Sequence, residues 1–301
     1  MSATRRSVLA AAAAAALPIP ALAQAGGLIT KPIPSSGERL PVIGVGTARR
    51  YDAAPGEAER APLRATLKRF HELGGRVIDT APSYGQAELV VGELVSELKI
   101  RPGLFLATKV GADSKEAGRA QIEASFQKLR TDKIDLIAVH NLRDTANQLA
   151  TLRELKQGGR IRYVGATTSV DSQYADFEAM MRRETLDVVQ VDYALDNRGS
   201  ADRILPLARD RGMAAWVNLP FGRGRLFQAT QGRPLPDWAR EIDCTTWAQV
   251  FLKYVVSHPA VTCAVPGMAQ ARYVDDNLGA ARGRLPDAAL RTRMEQFIDG
   301  L

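Results

Sequence analysis

The 301-residue chain reads as a (β/α)8 TIM barrel preceded by an N-terminal β-hairpin and followed by one extra C-terminal helix. Eight short apolar runs recur along it, separated by segments of helical period. The runs are apolar on both faces, as strands are when helices cover them on either side, and such strands pair in parallel. Their starts follow one another at intervals of about 30 residues, the length of a βα unit, and only the last gap is longer. An open doubly wound sheet is the alternative. It would carry G-x-G-x-x-G after the first strand, whereas "VIGVGT" holds only G-x-G.

The elements follow in order. Residues 1–25 are expected to be a signal peptide: Arg5 and Arg6, an alanine-rich apolar stretch from Val8 to Leu22, then "ALAQA" with small-x-small cleavage sites after Ala23 or Ala25. "TRRSVL" resembles the twin-arginine signal, which exports proteins already folded, and a Sec-type signal is the alternative. The remaining chain, 26–301, reads as a single domain. "LITKPIPSSGERLPVI" has two extended pieces around Ser35-Ser36-Gly37, a hairpin covering the bottom of the barrel. The strands are "VIGVGT" (42–47), "RVIDT" (76–80), "LFLATK" (104–109), "IDLIAVH" (134–140), "IRYVGA" (161–166), "DVVQVD" (187–192), "MAAWVN" (213–218) and "VTCAVP" (261–266). Between them lie helices such as "APLRATLKRFHELG", where Leu63, Leu67 and Phe70 share a face and Gly74 supplies the stop. "LPDAALRTRMEQFI" closes the chain as an amphipathic helix.

Charge and cysteine usage narrow the function classes. The formal net charge is +7; without the signal, 38 Lys and Arg face 33 Asp and Glu, an excess of +5 spread along the chain. That balance argues against nucleic acid and against a polybasic membrane patch. No second apolar stretch is long enough to span a bilayer, so no membrane insertion is expected after signal removal. Cys244 and Cys263, the two cysteines, read as ordinary small residues, and no metal site is expected.

Three successive strands end in ionisable groups: Asp79, Lys109 and His140. In a barrel of this kind they project into one mouth, where chemistry gathers. Tyr84 lies five residues beyond Asp79, on the loop after that strand. Singly, each has an ordinary explanation: a helix cap, a solvated ammonium, a satisfied core imidazole. Together they suit proton delivery to a carbonyl oxygen. An ammonium beside a phenol favours the ionised form, Asp79 would hold Lys109 by an ion pair, and His140 would orient the substrate oxygen. The hydride must come from a cofactor, since no side chain supplies one.

The segments "VIDTAPSYG", "LATKV", "IDLIAVHN", "GGRIRYVGATT", "VVQVDY" and "AVPGMAQARYVDDNL" resemble the successive motifs of the aldo-keto reductases. The resemblance covers nearly all of residues 28–300. It implies a (β/α)8 barrel, reversible carbonyl reduction and a nicotinamide cofactor, with NADP(H) favoured over NAD(H). Asp79, Tyr84, Lys109 and His140 match the family tetrad. Among cofactor contacts it implies Thr47 for the ribose, Asp79, Thr167 and Gln190 for the nicotinamide end, and the loop Asn218 to Leu226 over the pyrophosphate. That loop includes Leu219, Phe221, Arg223 and Arg225. Gly267 and Arg272 fall where a 2′-phosphate is met, and Asp276 with Asn277 where adenine is read.

Three departures stand out. The fifth strand ends Thr167-Thr168 where relatives carry Ser-Asn or Thr-His; Asn218 replaces the aromatic that stacks on nicotinamide; and Gly267-Met268-Ala269 follows Pro266 where phosphate binders place Lys or Ser. Arg49, Tyr51 and Asn141 are expected to wall the substrate pocket, with basic character suited to a polar or acidic carbonyl such as a sugar or keto acid. The expected protein is a periplasmic monomer acting on a small carbonyl or alcohol. A cofactor-bound sensor or regulatory protein of the same fold is the alternative.

Overall fold

A computed structural model describes residues 27–301; the signal read over 1–25 lies outside the described residues. All eight expected strands form. Val45–Gly46 (β3), Val77–Asp79 (β4), Phe105–Val110 (β5), Ile134–His140 (β6), Ile161–Thr167 (β7), Val188–Asp192 (β8), Ala214–Asn218 (β9) and Val261–Ala264 (β10) pair in parallel, each with the next in the chain. Parallel bridges Ile43↔Ala264 and Gly46↔Gly267 join the first of these to the last and close the barrel. Gly44 N donates to Ala264 O at 2.8 Å and Gly46 N to Pro266 O at 2.9 Å.

Strand alternation sorts the core into two clusters. Phe105, Ala107, Leu136, Tyr163, Val188, Ala214, Trp216 and Cys263 fill the barrel interior, and the larger cluster lies between strands and helices. The antiparallel hairpin Thr30–Pro32 (β1) and Arg39–Pro41 (β2) sends Ile33 and Leu40 into the interior cluster from below, as the sequence predicts.

Helices Glu57–Glu72 (α1), Ala87–Leu98 (α2), Lys115–Lys128 (α3), Thr145–Gln157 (α4), Tyr174–Arg183 (α5) and Ile204–Asp210 (α6) return the chain between strands. The long gap after β9 holds elements that periodicity does not foretell: a short helix, Arg225–Ala229 (α7), and a 3-10 turn, Asp237–Ile242, ahead of Trp247–Ser257 (α8). A segment this short has no period of its own, and its backbone is set by the loop it closes. α8 starts at Thr246, whose hydroxyl accepts from Gln249 N at 3.2 Å, a cap that contributes about 1 kcal/mol. It buries Val250, Phe251, Leu252, Val255 and Val256 on several faces. Ala271–Gly279 (α9) and Ala288–Asp299 (α10) complete the chain. Cys244 and Cys263 are buried and free, and among the described residues no helix is long and apolar enough to cross a membrane.

Candidate active site

Parallel strands pointing one way bring their C-terminal ends to a single face, and β4, β5 and β6 place Asp79, Lys109 and His140 there. Lys109 is almost wholly buried, which for an ammonium requires partners on every side. It has them: Nζ donates to Asp79 Oδ1 at 2.9 Å, to Asp79 Oδ2 at 2.8 Å and to Thr80 O at 2.8 Å. Burial pulls the ammonium towards neutrality, but the Asp79 carboxylate and the hydrogen bonds around the ammonium outweigh it and hold its pKa above the ordinary lysine value.

The Tyr84 ring sits over that ammonium, 5.0 Å from Nζ to the ring centroid. The His140 ring meets it edge-on with centroids 6.1 Å apart. His140 is pushed down to about 4, by burial first and then by Lys109 and Arg143, so its imidazole is neutral at physiological pH. The four residues expected to work together are together.

The Tyr84 loop is held by a residue that sequence reasoning passed over. Asp52 Oδ1 accepts from Gln86 N at 2.9 Å, and a Cβ at the left-handed Gly85 would fall 2.2 Å from the same carboxylate oxygen. Glycine is needed there for space and for conformation. Asp192 was also missed, although "DVVQVD" ends in an acid just as "RVID" does. It is buried at the end of β8, accepting from Tyr174 Oη at 2.6 Å and Asn197 Nδ2 at 2.6 Å.

The expected cofactor contacts divide. Thr47 is buried beside Asp79, its N and Oγ1 donating to Asp79 O at 3.0 and 3.1 Å. Thr167 Oγ1 donates to Gln190 Oε1 at 3.0 Å on the ledge continuing from His140. Thr168 is turned away from that ledge, buried and donating to Gln173 Oε1 at 2.7 Å. Leu219, Arg223 and the glycines Gly222 and Gly224 are all left-handed, so the segment from Asn218 folds into a tight turn through Phe221. Arg225 is already paired, its Nε 2.9 Å from Asp196, and a Cβ at Gly222 would lie 2.3 Å from that aspartate. Arg223 makes no ion pair among the described residues. Gly267 packs against the Arg50 side chain, Arg272 stacks on Tyr273 at 5.0 Å, and Asn277 is buried. Asp276 accepts from Thr246 Oγ1 at 2.7 Å, tying α9 to the cap of α8.

The pocket walls need one correction. Arg49 and Asn141 are exposed on turns at the mouth, but Tyr51 is fully buried in the cluster between strands and helices, its hydroxyl unpartnered. Tyr51 N bonds back to Thr47 O at 3.0 Å, and that turn carries the ring inward.

A catalytic-looking tetrad at the C-terminal face of a barrel occurs in unrelated proteins. Here the model of the Aldo/keto reductase family matches residues 42–295, a range that spans nearly the whole barrel and includes residues 79 to 140. The chain belongs to the aldo/keto reductase family. It is 32% identical over 273 residues to the methylglyoxal reductase YeaE of Escherichia coli, a match covering 86% of this chain and 92% of that one. It is 29% identical to an NADH-specific methylglyoxal reductase of the same organism, over 62% of this chain and 64% of that relative's length. An aldo/keto reductase from Klebsiella pneumoniae, solved in complex with NADP and acetate, superposes with a TM-score of 0.75 at 25% identity, covering 87% of this chain and 93% of that one.

Proposed function

We propose that the protein is a nicotinamide-dependent reductase of small aldehydes or ketones, working reversibly with Tyr84 as its general acid. The observation that carries this reading is the Lys109 ammonium, locked by Asp79 and lying 5.0 Å from the Tyr84 ring centroid. A bound nicotinamide dinucleotide supplies the hydride. The residues around the mouth fit such a group: among the described residues Asn218 Oδ1 is buried without a partner, and Arg223, on the turn beside it, makes no ion pair.

The chain's own part is proton chemistry. A carbonyl oxygen gains negative charge as its carbon is reduced, and the Tyr84 hydroxyl delivers a proton to it. Lys109 stabilises the phenolate left behind, and Asp79 keeps the ammonium charged and aimed. His140, neutral, hydrogen-bonds the same oxygen and orients it without supplying a second charge. NADP(H) is favoured over NAD(H), with Arg272 as the cation for a 2′-phosphate. The Klebsiella relative with NADP supports this preference, and the NADH-specific relative weighs against it.

Small 2-oxo aldehydes are the first substrates to try, as two relatives are named methylglyoxal reductases. The exposed Arg49 and Asn141 suit a polar carbonyl. In this reading residues 1–25 send the folded, cofactor-loaded protein to the periplasm. The test is NADPH oxidation by methylglyoxal. Tyr84→Phe should lower kcat by about 10²- to 10⁴-fold while NADPH binding persists; near-normal turnover in that variant removes Tyr84 from its role. Absence of turnover with every carbonyl, alongside tight nucleotide binding, favours a sensor.

A further inference from the structure

Several buried polar atoms near the barrel mouth have no partner among the described residues, and Asn218 Oδ1 is the acceptor among them that borders the strand ends of His140, Thr167 and Gln190. Asn218 ends β9, and by strand alternation its side chain points inward, on the same face as Trp216. Its Oδ1 is buried with no hydrogen-bond partner. Leaving a buried amide oxygen unpaired is unfavourable, and proteins retain such groups where a ligand completes them.

The register shows what lies beside it. His140 pairs with Thr167, Thr167 with Gln190, Gln190 with Trp216, and Asn218 stands one pleat further along the strand that carries Trp216. Asn218 therefore borders the ledge formed by His140, Thr167 and Gln190. On that ledge the Gln190 Oε1 acceptor is already used by the Thr167 hydroxyl. The next hydroxyl, on Thr168, is buried and committed to Gln173. Asp192, the register partner of Asn218, is occupied by Tyr174 and Asn197. Of the side chains at these register positions, Asn218 is the one whose buried acceptor has no partner among the described residues.

We propose that Asn218 is a specificity-determining contact for the nicotinamide: its amide oxygen accepts a hydrogen bond from the carboxamide N–H₂ of the cofactor. The inference rests on the nicotinamide reading above and deepens it. It gives Asn218 a polar role in recognition in place of the ring stacking that an aromatic there would provide. Only a ring substituent that can donate a hydrogen bond satisfies the site.

The experiment compares two nucleotides by equilibrium binding, read from tryptophan fluorescence, with Trp216 just below the mouth as a reporter. One is NADP⁺; the other is its 3-acetylpyridine analogue, which keeps the ring carbonyl and lacks the amide N–H. The wild-type protein should bind NADP⁺ more tightly than the analogue, by about fivefold or more. Asn218→Ala and the near-isosteric Asn218→Leu should both weaken NADP⁺ by about that factor and leave the analogue nearly unchanged, so the discrimination disappears. Equal loss for both nucleotides, or discrimination that persists in both variants, overturns the proposal while leaving the proposed function standing. Failure of wild-type protein to bind NADP⁺, its analogue and NAD⁺ alike overturns both.

Discussion

The two ends of the barrel are built on opposite plans. At the lower face, where strands begin, the acids near the barrel axis are paired. Glu38 of the hairpin accepts from Tyr163 Oη at 2.7 Å and pairs with Arg162 and Arg76. Asp135 takes Arg162 at 2.8 Å, Arg101 at 3.2 Å and the Leu106 amide at 2.8 Å. At the upper face Arg225 pairs with Asp196 and Arg143 with Asp113, but Arg49, Arg50 and Arg223 make no ion pair among the described residues, and Asn218 Oδ1 has no partner among them. Backbone strain divides the same way. Of the nine left-handed non-glycine residues described, seven lie on connections leaving strand C-termini, and only Lys99 and Arg130 end helices below. A conformation costing of order 1 kcal/mol persists where another demand outweighs it. One face is arranged for stability, the other for ligands.

Lys109 is the exception that breaks this division most sharply. It belongs to the upper face, yet among the described residues Asp79 has no other cation against it. Lys109→Met should therefore lower kcat by at least about 10²-fold and also destabilise the fold by about 3–5 kcal/mol, since a buried carboxylate is left uncompensated. Chemical denaturation alongside steady-state kinetics checks both. A variant that loses activity with an unchanged denaturation midpoint would mean that Asp79 finds other compensation.

Glu38→Ala is the converse from below. Arg162 keeps Asp135 and Tyr163 keeps Ser36, so the loss should be about 2 kcal/mol, seen as a lowered melting temperature. Turnover per folded molecule should not change. A fall in kcat would show that the hairpin face communicates with the mouth.

How much of this was legible in the sequence follows from where each partner lies. Strand runs and the tetrad were readable because period and residue chemistry are local: "LFLATK" shows both its burial and the lysine at its end. The inward turn of Tyr51 was not, because the bond from its amide to Thr47 O is a choice of loop backbone that no period records. Arg225 and Asp276 look free in the sequence and are engaged in the fold. Their partners, Asp196 and Thr246, sit 29 and 30 residues away and meet them only once the barrel has closed.

The upper face also sets a pH dependence. His140 has its pKa at about 4 in the fold against an ordinary 6.5, so between those values the unfolded chain binds a proton that the folded one refuses. Stability should fall as pH drops through that window, by at most about 3 kcal/mol from this group, and be fully present above it. Turnover should show no His140 inflection near pH 6.5. Arg143, paired with Asp113 of the neighbouring connection, helps hold that value down. Arg143→Ala should move the acid limb of the kcat/KM profile upward from about pH 4; an unmoved limb would leave burial and Lys109 as the whole cause.

The smallest expected effect gives the cleanest comparison of the two faces. Arg49 above and Lys99 below are both exposed, both at φ of 57° and both without an ion pair. Glycine in that conformation relieves the same steric conflict at either site. Arg49→Gly and Lys99→Gly should each raise stability by about 0.5–1 kcal/mol, and near-equal gains establish that the strain itself does not differ between faces. Kinetics should then separate them. Lys99→Gly should leave KM unchanged for every carbonyl, because Lys99 only ends α2. Arg49→Gly should raise KM for a keto acid several-fold more than for an uncharged aldehyde, as expected of an unpaired guanidinium at the mouth. Identical KM values in the two variants would make Arg49 a solvated rim residue, and the strain at its turn would then serve only the inward placement of Tyr51.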